Sequence, residues 1–244
     1  MPVYRLLDTG IAFPDPSLAE PDGLLAVGGD LSPRRIVSAY ASGIFPWYSD
    51  DSPILWWSPD PRCILLPEEL HIPRSLRRKL NANLFHFTMD SAFEAVIASC
   101  AVSRGDGLGT WLVPEMIEAY MELFQLGLAH SVEAWMDGQL VGGLYGLSLG
   151  SAFFGESMFY RTPDASKAAL VFLVQELQKA GFDLVDCQQE TANLLRFGAK
   201  GVARQEYLER LDKALGMPTL QGSWELGISR LHKIDENISM HTDS

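Results

Sequence analysis

The residues best suited to chemistry in this sequence are acidic and amide side chains that follow apolar runs. Asp186 and Gln188 end the run Leu184–Gln188, and Glu156 follows the apolar residues 152–154. Residues i and i+2 of a strand share a face, so the Asp186 carboxylate is expected beside the Gln188 side-chain amide, its nearest donor. Together with Glu156 across one cleft, this group would suit a guanidinium or ammonium ligand.

The same residues also have plainer interpretations. Asp186 could end a strand that enters solvent, and Glu156 could be an edge-strand charge that prevents aggregation. The run Gly155–Phe159 (GESMF) half-matches the G-x-S-x-G turn of serine hydrolases, but Phe159 replaces the last glycine and no suitably placed histidine follows. Cys187 has no histidine near it in sequence, so the pattern indicates core packing rather than a nucleophile.

Two segments could bind phosphate. Residues Arg104–Gly109 match R-x-x-G-x-G, a loop that binds the coenzyme A pyrophosphate in acetyltransferases. That loop should open a helix directly, whereas this one follows a predicted helix over Ser91–Cys100, which favours a plain connector. The one basic cluster is a candidate phosphate track or, alternatively, a solvated helix face; it consists of Arg74, Arg77, Arg78 and Lys79.

Composition limits the class of protein. The 244 residues carry a net charge of −12, so any nucleic-acid contact must be local. The cysteines Cys63, Cys100 and Cys187 form no C-x-x-C pair, which predicts no disulfide framework and no zinc site. The start resembles no secretory signal, and the longest uncharged stretch, 140–155, is broken by glycines. We therefore expect a cytoplasmic protein with no metal and no membrane or DNA partner.

The elements that must position these residues follow a mixed α+β order. We expect a small N-terminal domain over 1–62, a second domain over 63–216 and a loosely held tail over 217–244. The Asp137-Gly138 pair predicts a hairpin. The predicted helices are Arg34–Ser42, Ser91–Cys100, a segment from Pro114 to Gly127, one from Thr162 to Gly181, and Ala203–Leu215; the predicted strands are Ser131–Met136, Gln139–Leu147, Ser151–Met158 and Phe182–Gln188.

Six strings, together spanning most of the chain, resemble the bacterial leucyl/phenylalanyl-tRNA-protein transferases. Long strings in family order are far more specific than a single glycine motif. They are Pro21–Pro33 (PDGLLAVGGDLSP), Gly43–Trp47 (GIFPW), Trp56–Arg62 (WWSPDPR), Gly155–Phe159 (GESMF), Ala165–Lys167 (ASK) and Asp186–Gln188 (DCQ).

The resemblance implies an enzyme that needs no cofactor and moves leucine or phenylalanine from aminoacyl-tRNA to the N-terminal Arg or Lys of a protein, marking it for N-end-rule degradation. It also implies an acetyltransferase-like (GNAT-like) second domain that has lost coenzyme A. In that family, residues at the positions of Asp186 and Gln188 lie at the reacting centre, assisted by Glu156. Trp47 and Trp111 would flank the terminal adenosine, and the basic cluster would follow the acceptor stem.

Selection of Leu or Phe requires an apolar recess, and Met should also be accepted, because such pockets separate similar side chains poorly. The expected lining is Leu144, Phe153, Leu170 and Leu173. The family run T-x-H-L-x-S-x-G-A differs here, with Asn193 for the His and Arg196 for the Ser, so a role that needs an imidazole is not carried over. Two alternatives stay open: a coenzyme A-dependent N-acetyltransferase and a non-catalytic tRNA-binding module.

Overall fold

The computed structural model describes residues 3–7, 10–102 and 112–228. In the N-terminal part, four short strands form one sheet in the order β1-β2-β4-β3. Helix α1 spans Pro33–Ala41; Pro33 at its first turn needs no hydrogen-bond partner for its nitrogen. The strands are β1 Tyr4–Leu6, β2 Leu24–Gly28, β3 Phe45–Pro46 and β4 Leu55–Trp57.

A second, seven-stranded sheet in the described residues has the order β11-β5-β10-β9-β8-β7-β6. Only its β9–β10 pair is parallel; the other pairs are antiparallel. The strands are β5 Arg62–Leu65, β6 His86–Met89, β7 Ala129–Met136, β8 Gln139–Leu149, β9 Ala152–Tyr160, β10 Leu184–Gln188 and β11 Lys200–Val202.

Helices cover both faces of this sheet. Leu144 faces α5 while its neighbour Tyr145 faces α3 and α4, because successive strand residues point to opposite sides. Residues of α1 and α7 join the α3 and α4 side, so the N-terminal part contacts the large sheet there. The remaining helices are α2 Arg74–Asn81, α3 Phe93–Val102, α4 Pro114–Gln125, α5 Ala165–Lys179, α6 Ala192–Leu195 and α7 Arg204–Leu215.

The expected mixed α+β class is confirmed, as are the predicted helices and strands to within a few residues at their ends. The hairpin forms at Asp137 and Gly138, whose φ angles of 50° and 74° suit a tight two-residue turn. The strands of the N-terminal sheet were not expected, because none is longer than five residues; β5, β6, β11, α2 and α6, which are also short, were not predicted either. Strand β5 begins at Arg62, so the large sheet includes the last residue assigned to the N-terminal domain.

The expectation of a loosely held tail is wrong for residues 217–228. Leu220, Trp224 and Ile228 are buried in the core on the α5 side of the sheet. The Trp224 ring stacks on His130 at 3.6 Å, and its backbone N–H donates to Asp90 over 2.7 Å. One large aromatic residue is enough to hold a polar segment against the core. Residues 229–244 lie outside the described part of the chain.

No helix in the described ranges has the length and apolar composition needed to cross a lipid bilayer.

Candidate active site

A cavity of about 480 Å³ opens where two parallel strands separate. Strands β9 and β10 pair through residues 152–154 and 184–186, and no further. Beyond that point the cavity is lined by Gly155, Glu156, Ser157 and Met158 from β9 and by residues 187–189 from the end of β10. The site is therefore a wedge between two strand edges.

The inner end of the wedge is apolar. All four residues expected to form the acyl recess line this cavity, together with Val185. Leu170 and Leu173 come from one face of α5, while Leu144 and Phe153 come from neighbouring strands. Each is at least nine-tenths buried. Their side chains make this part of the cavity an apolar recess.

The carboxylate that faces the cavity is Glu156. The Tyr40 hydroxyl donates to its Oε1 over 2.5 Å, and the hydroxyls of Tyr40 and Tyr120 are 2.7 Å apart. Burial raises the pKa of Glu156 to about 7, against the opposing effect of the tyrosine hydrogen bonds; the negative charge of Asp186 raises it further. The group therefore titrates near neutral pH, as a general base should.

Sequence reasoning did not identify Tyr40 or Tyr120. Burial raises the pKa of both phenols well above 10, so both remain neutral hydroxyls. They come from α1 and α4, far apart in the chain, and each falls on the apolar face of its helix. The available signal was that a tyrosine buried on such a face must find a hydrogen-bond partner for its hydroxyl.

The expected pairing of Asp186 with the Gln188 side chain is wrong. Asp186 is completely buried, and its partner is Arg62: Nε donates to Oδ1 over 2.9 Å and Nη2 to Oδ2 over 2.6 Å. The Tyr207 hydroxyl donates to the same Oδ2 over 2.9 Å. Asp186 lies behind the cavity wall, so it cannot touch a ligand in the wedge.

Arg62 ties the N-terminal part of the chain to this wall. Its Nη1 donates to the Gly43 carbonyl over 3.0 Å, and its guanidinium lies 4.8 Å from the Phe45 ring centroid and 4.5 Å from that of Tyr207. Burial alone would lower the pKa of Arg62, but the Asp186 carboxylate more than offsets this and raises it. A fully buried Asp186 required a cation, which was the signal for Arg62.

Gln188 reaches the cavity because the strand is irregular there. Its φ is 56° and the β10–β5 register shifts between Asp186 and Gln188. That bulge breaks the i, i+2 relation, and the backbone N–H of Gln188, not its side chain, donates to Asp186 Oδ1 over 2.9 Å. Within the described ranges the Gln188 side-chain nitrogen is buried without a partner. An unpartnered buried donor at a cavity wall is available to a ligand.

Other candidates around the cavity have distinct positions. Trp47 lies at the rim, 39% exposed, with its ring 5.8 Å from that of Trp57. Trp111 lies outside the described residues, as does the loop Arg104–Gly109. Asn193 lines the cavity. A hydrogen bond involving Cys63, together with burial, raises the pKa of the Cys187 thiol well above its ordinary value, which disfavours a thiolate nucleophile.

The basic cluster lies on α2, which contacts α5 outside the cavity. Arg74, Arg77 and Arg78 are exposed. Lys79 differs, because its Nζ donates to Asp164 over 2.7 Å at the start of α5. Its charge is therefore engaged within the protein, and three arginines remain for phosphate.

With this geometry in place, comparison with known proteins decides the family. The family described as leucyl/phenylalanyl-tRNA protein transferase matches residues 64–212, and the family of its N-terminal domain matches residues 29–60. The chain belongs to the leucyl/phenylalanyl-tRNA protein transferase family.

Its relatives in this family match over nearly their full length. The transferase of Oleidesulfovibrio alaskensis is 56% identical over 232 residues, covering 93% of each chain. That of an Anaeromyxobacter dehalogenans strain is 59% identical over 227 residues, covering 93% of this chain and 97% of its own. The expectation of a tRNA-dependent protein transferase is thereby confirmed.

Likeness to solved structures is weaker. A GCN5-related N-acetyltransferase from Kribbella flavida has a TM-score of 0.38 and 14% identity, covering 68% of this chain and 60% of its own. A score at this level carries no argument about fold or function, so the acetyltransferase-like description of the large sheet stays a prediction.

Proposed function

We propose that this protein transfers leucine or phenylalanine from aminoacyl-tRNA to the N-terminal Arg or Lys of an acceptor protein. The observation that carries the proposal is a single cavity lined both by an apolar recess and by a carboxylate with a pKa of about 7. The recess takes the acyl side chain. The carboxylate serves the incoming amine.

The reaction needs a neutral amine held against an already activated ester. An α-amino group has a pKa of about 7.7–8.0, so much of it is protonated at neutral pH. Glu156, titrating about one pH unit below, accepts that proton with little penalty as the nitrogen attacks the ester carbonyl. The nitrogen–carbonyl bond then forms, the ester bond to the tRNA ribose breaks, and the second proton lost by the nitrogen goes to the departing ribose oxygen.

Gln188 completes the reacting centre by donating from its unpartnered side-chain nitrogen to the ester carbonyl oxygen, where negative charge develops. Asp186 acts through Gln188, because it holds the backbone N–H of Gln188 at the bulge and itself touches no ligand. Asp186 is therefore a positioning residue. Arg62 and Tyr207 hold Asp186 in place, and Asp186 in turn fixes the end of β10, which positions the Gln188 side chain.

The tRNA is held outside the reacting centre. Trp47, exposed at the rim, offers a stacking face to the terminal adenine. The exposed arginines of α2 contact acceptor-stem phosphates, while the remaining, acidic surface contributes little attraction. Trp111 is proposed as the second adenine contact from the resemblance alone.

The test is transfer itself. Leu-, Phe- and Met-charged tRNA are incubated with peptides that begin with Arg, Lys or Ala, and products are scored by mass. We expect Leu and Phe to be added to the Arg and Lys peptides, Met less well, and nothing to the Ala peptide. Addition to the Ala peptide at an equal rate would refute the acceptor specificity. Heat on titration with acetyl-coenzyme A, or tRNA binding without transfer, would favour the two alternatives.

A further inference from the structure

The open edge of β9 has backbone N–H and C=O groups that the proposed chemistry does not use. Four consecutive residues of that strand, 155–158, line the cavity. Gly155 has no side chain, so it lines the cavity with its backbone, at a point where the β8–β9 register shifts and the regular alternation of side chains is interrupted. The cavity therefore borders the β9 backbone as well as its side chains.

That edge lacks a hydrogen-bonding neighbour. Strand β8 pairs with β9 as far as Tyr160 on one side, whereas β10 leaves the other side after Phe154. In an antiparallel pair every second residue turns its N–H and C=O away from the partner. Residues 156–158 have no strand partner on the open side, and no backbone hydrogen bond of a turn or loop among the described residues reaches them. A protein normally pairs or covers such an edge.

We infer that the N-terminal segment of the acceptor protein adds to this edge as an extended strand; the inference rests on the proposed function. The aminoacyl ester brings a single residue and no repeating main chain, whereas a peptide brings alternating N–H and C=O groups. Only the peptide can satisfy several positions of the edge.

The direction of the added strand follows from the reacting centre. Its amine must meet Glu156 and the ester beside the point where β9 and β10 part. The peptide then runs outward along β9 towards Met158 and Tyr160, which are 37% and 62% exposed. It lies parallel to β9 and continues the parallel pairing that β10 begins. Recognition beyond the first residue is thus by main chain, so acceptor sequences can vary there.

The inference is tested with acceptor peptides of altered backbone. In a series of Arg-initiated hexapeptides, one amide N–H at a time, at peptide residues 2 to 5, is replaced by an ester oxygen. We expect two alternate replacements to lower kcat/KM about tenfold, consistent with loss of one peptide hydrogen bond, and the two between them to change it less than about twofold. A matching N-methyl series should give the same alternation.

A flat profile, or loss confined to the first amide, overturns the inference while normal transfer to the unmodified peptide leaves the proposed function intact. No transfer to the unmodified peptide overturns both. Hydrogen exchange gives an independent readout: the unmodified peptide at saturation should slow exchange in residues 156–160 of β9 and leave β7 unchanged. Unaltered exchange in β9 also overturns the inference.

Discussion

Arg62 and Asp186 form a two-point ion pair in which neither side chain has any exposed surface. Both charges lie behind the wall of the cavity rather than in it. Removal of one member leaves the other buried and uncompensated, which costs far more than the pair contributes when intact. The aspartate that sequence reasoning placed at the reacting centre is thus first a part of the framework of that centre.

We expect Asp186→Ala to lower the free energy of unfolding by about 3–5 kcal/mol, because it strands the Arg62 guanidinium. Urea denaturation measures this. Glu206→Ala is the matched control, since it breaks an exposed ion pair with Arg210 and should cost at most about 1 kcal/mol. Equal costs for the two variants would contradict the framework role. Asp186→Asn, which keeps the shape, separates lost transfer from lost fold.

Glu156 gives the transfer reaction a pH dependence. If it accepts the amine proton, kcat/KM falls as pH drops through about 7, the pKa of Glu156. Glu156→Gln should lower kcat/KM about 10²–10⁴-fold and remove the part of the fall that is due to Glu156, leaving only the shallower fall caused by protonation of the peptide amine, whose pKa is about 7.7–8.0. Tyr40→Phe removes a hydrogen bond that lowers the pKa of Glu156, so the limb should move to higher pH. A limb that stays in place in both variants would rule out this base.

The same group has a measurable effect on stability. The pKa of Glu156 is raised on folding, from 4.5 to about 7, so the folded state binds the proton more tightly than the unfolded chain does. Its contribution is present below about pH 4.5 and is lost as pH rises through 7. The unfolding free energy of Glu156→Gln should therefore fall less steeply over this range than that of the wild type. Identical slopes would mean that the carboxyl group titrates normally.

Leu170 sets the size of the apolar recess. Leu170→Ala should raise the preference for Phe over Leu, because the larger ring fills the added space; one side-chain step is worth about 1–3 kcal/mol, or about 10–200-fold in kcat/KM. The measurement is competition between Phe- and Leu-charged tRNA. Leu177→Ala is the control: the same residue type on α5, buried but outside the cavity lining. A shift in preference in the control variant alone would remove Leu170 from the recess.

The arginines of α2 should govern the salt dependence of tRNA binding. Arg77→Glu with Arg78→Glu should weaken affinity and reduce the log–log salt slope by about 1 for each phosphate that is no longer neutralised. Arg210→Glu with Lys213→Glu, both on α7, makes the same change of net charge and is the control. Lys79→Ala should leave the slope nearly unchanged, because Lys79 is paired with Asp164. An unaltered slope in the double variant would mean that these arginines form a solvated helix face and do not contact tRNA phosphates.

Local patterns predicted five of the helices and four of the strands in the described residues, which include the longest elements. The Asp137-Gly138 turn, the helix begun by Pro33 and the strand that ends at Gln188 each depend on neighbouring residues, and all are found. The apolar recess was also foreseen, because its residues lie on elements that the sequence defines well. Non-local partners escaped prediction: Arg62 and Asp186 are 124 positions apart, and no local pattern records such a pairing.

Two errors have physical causes. The bulge at Gln188 changes the side to which its side chain points, and a single residue with positive φ leaves no periodic trace in sequence. The segment after Gly216 lacks periodicity, yet Trp224 holds it in the core against His130. A lone tryptophan in a polar stretch was the available signal that the stretch is anchored.

The contacts of Arg62 limit how the N-terminal region of this enzyme can be exchanged with that of a relative. One guanidinium contacts the carbonyl of Gly43, the ring of Phe45 and the carboxylate of Asp186, 124 positions further along the chain. Arg62 lies between the two regions matched by separate family descriptions and joins them, because Gly43 belongs to the first and Asp186 to the second. A chimera that exchanges the N-terminal region between relatives should therefore take residues 43–45 and 62 from the same parent protein.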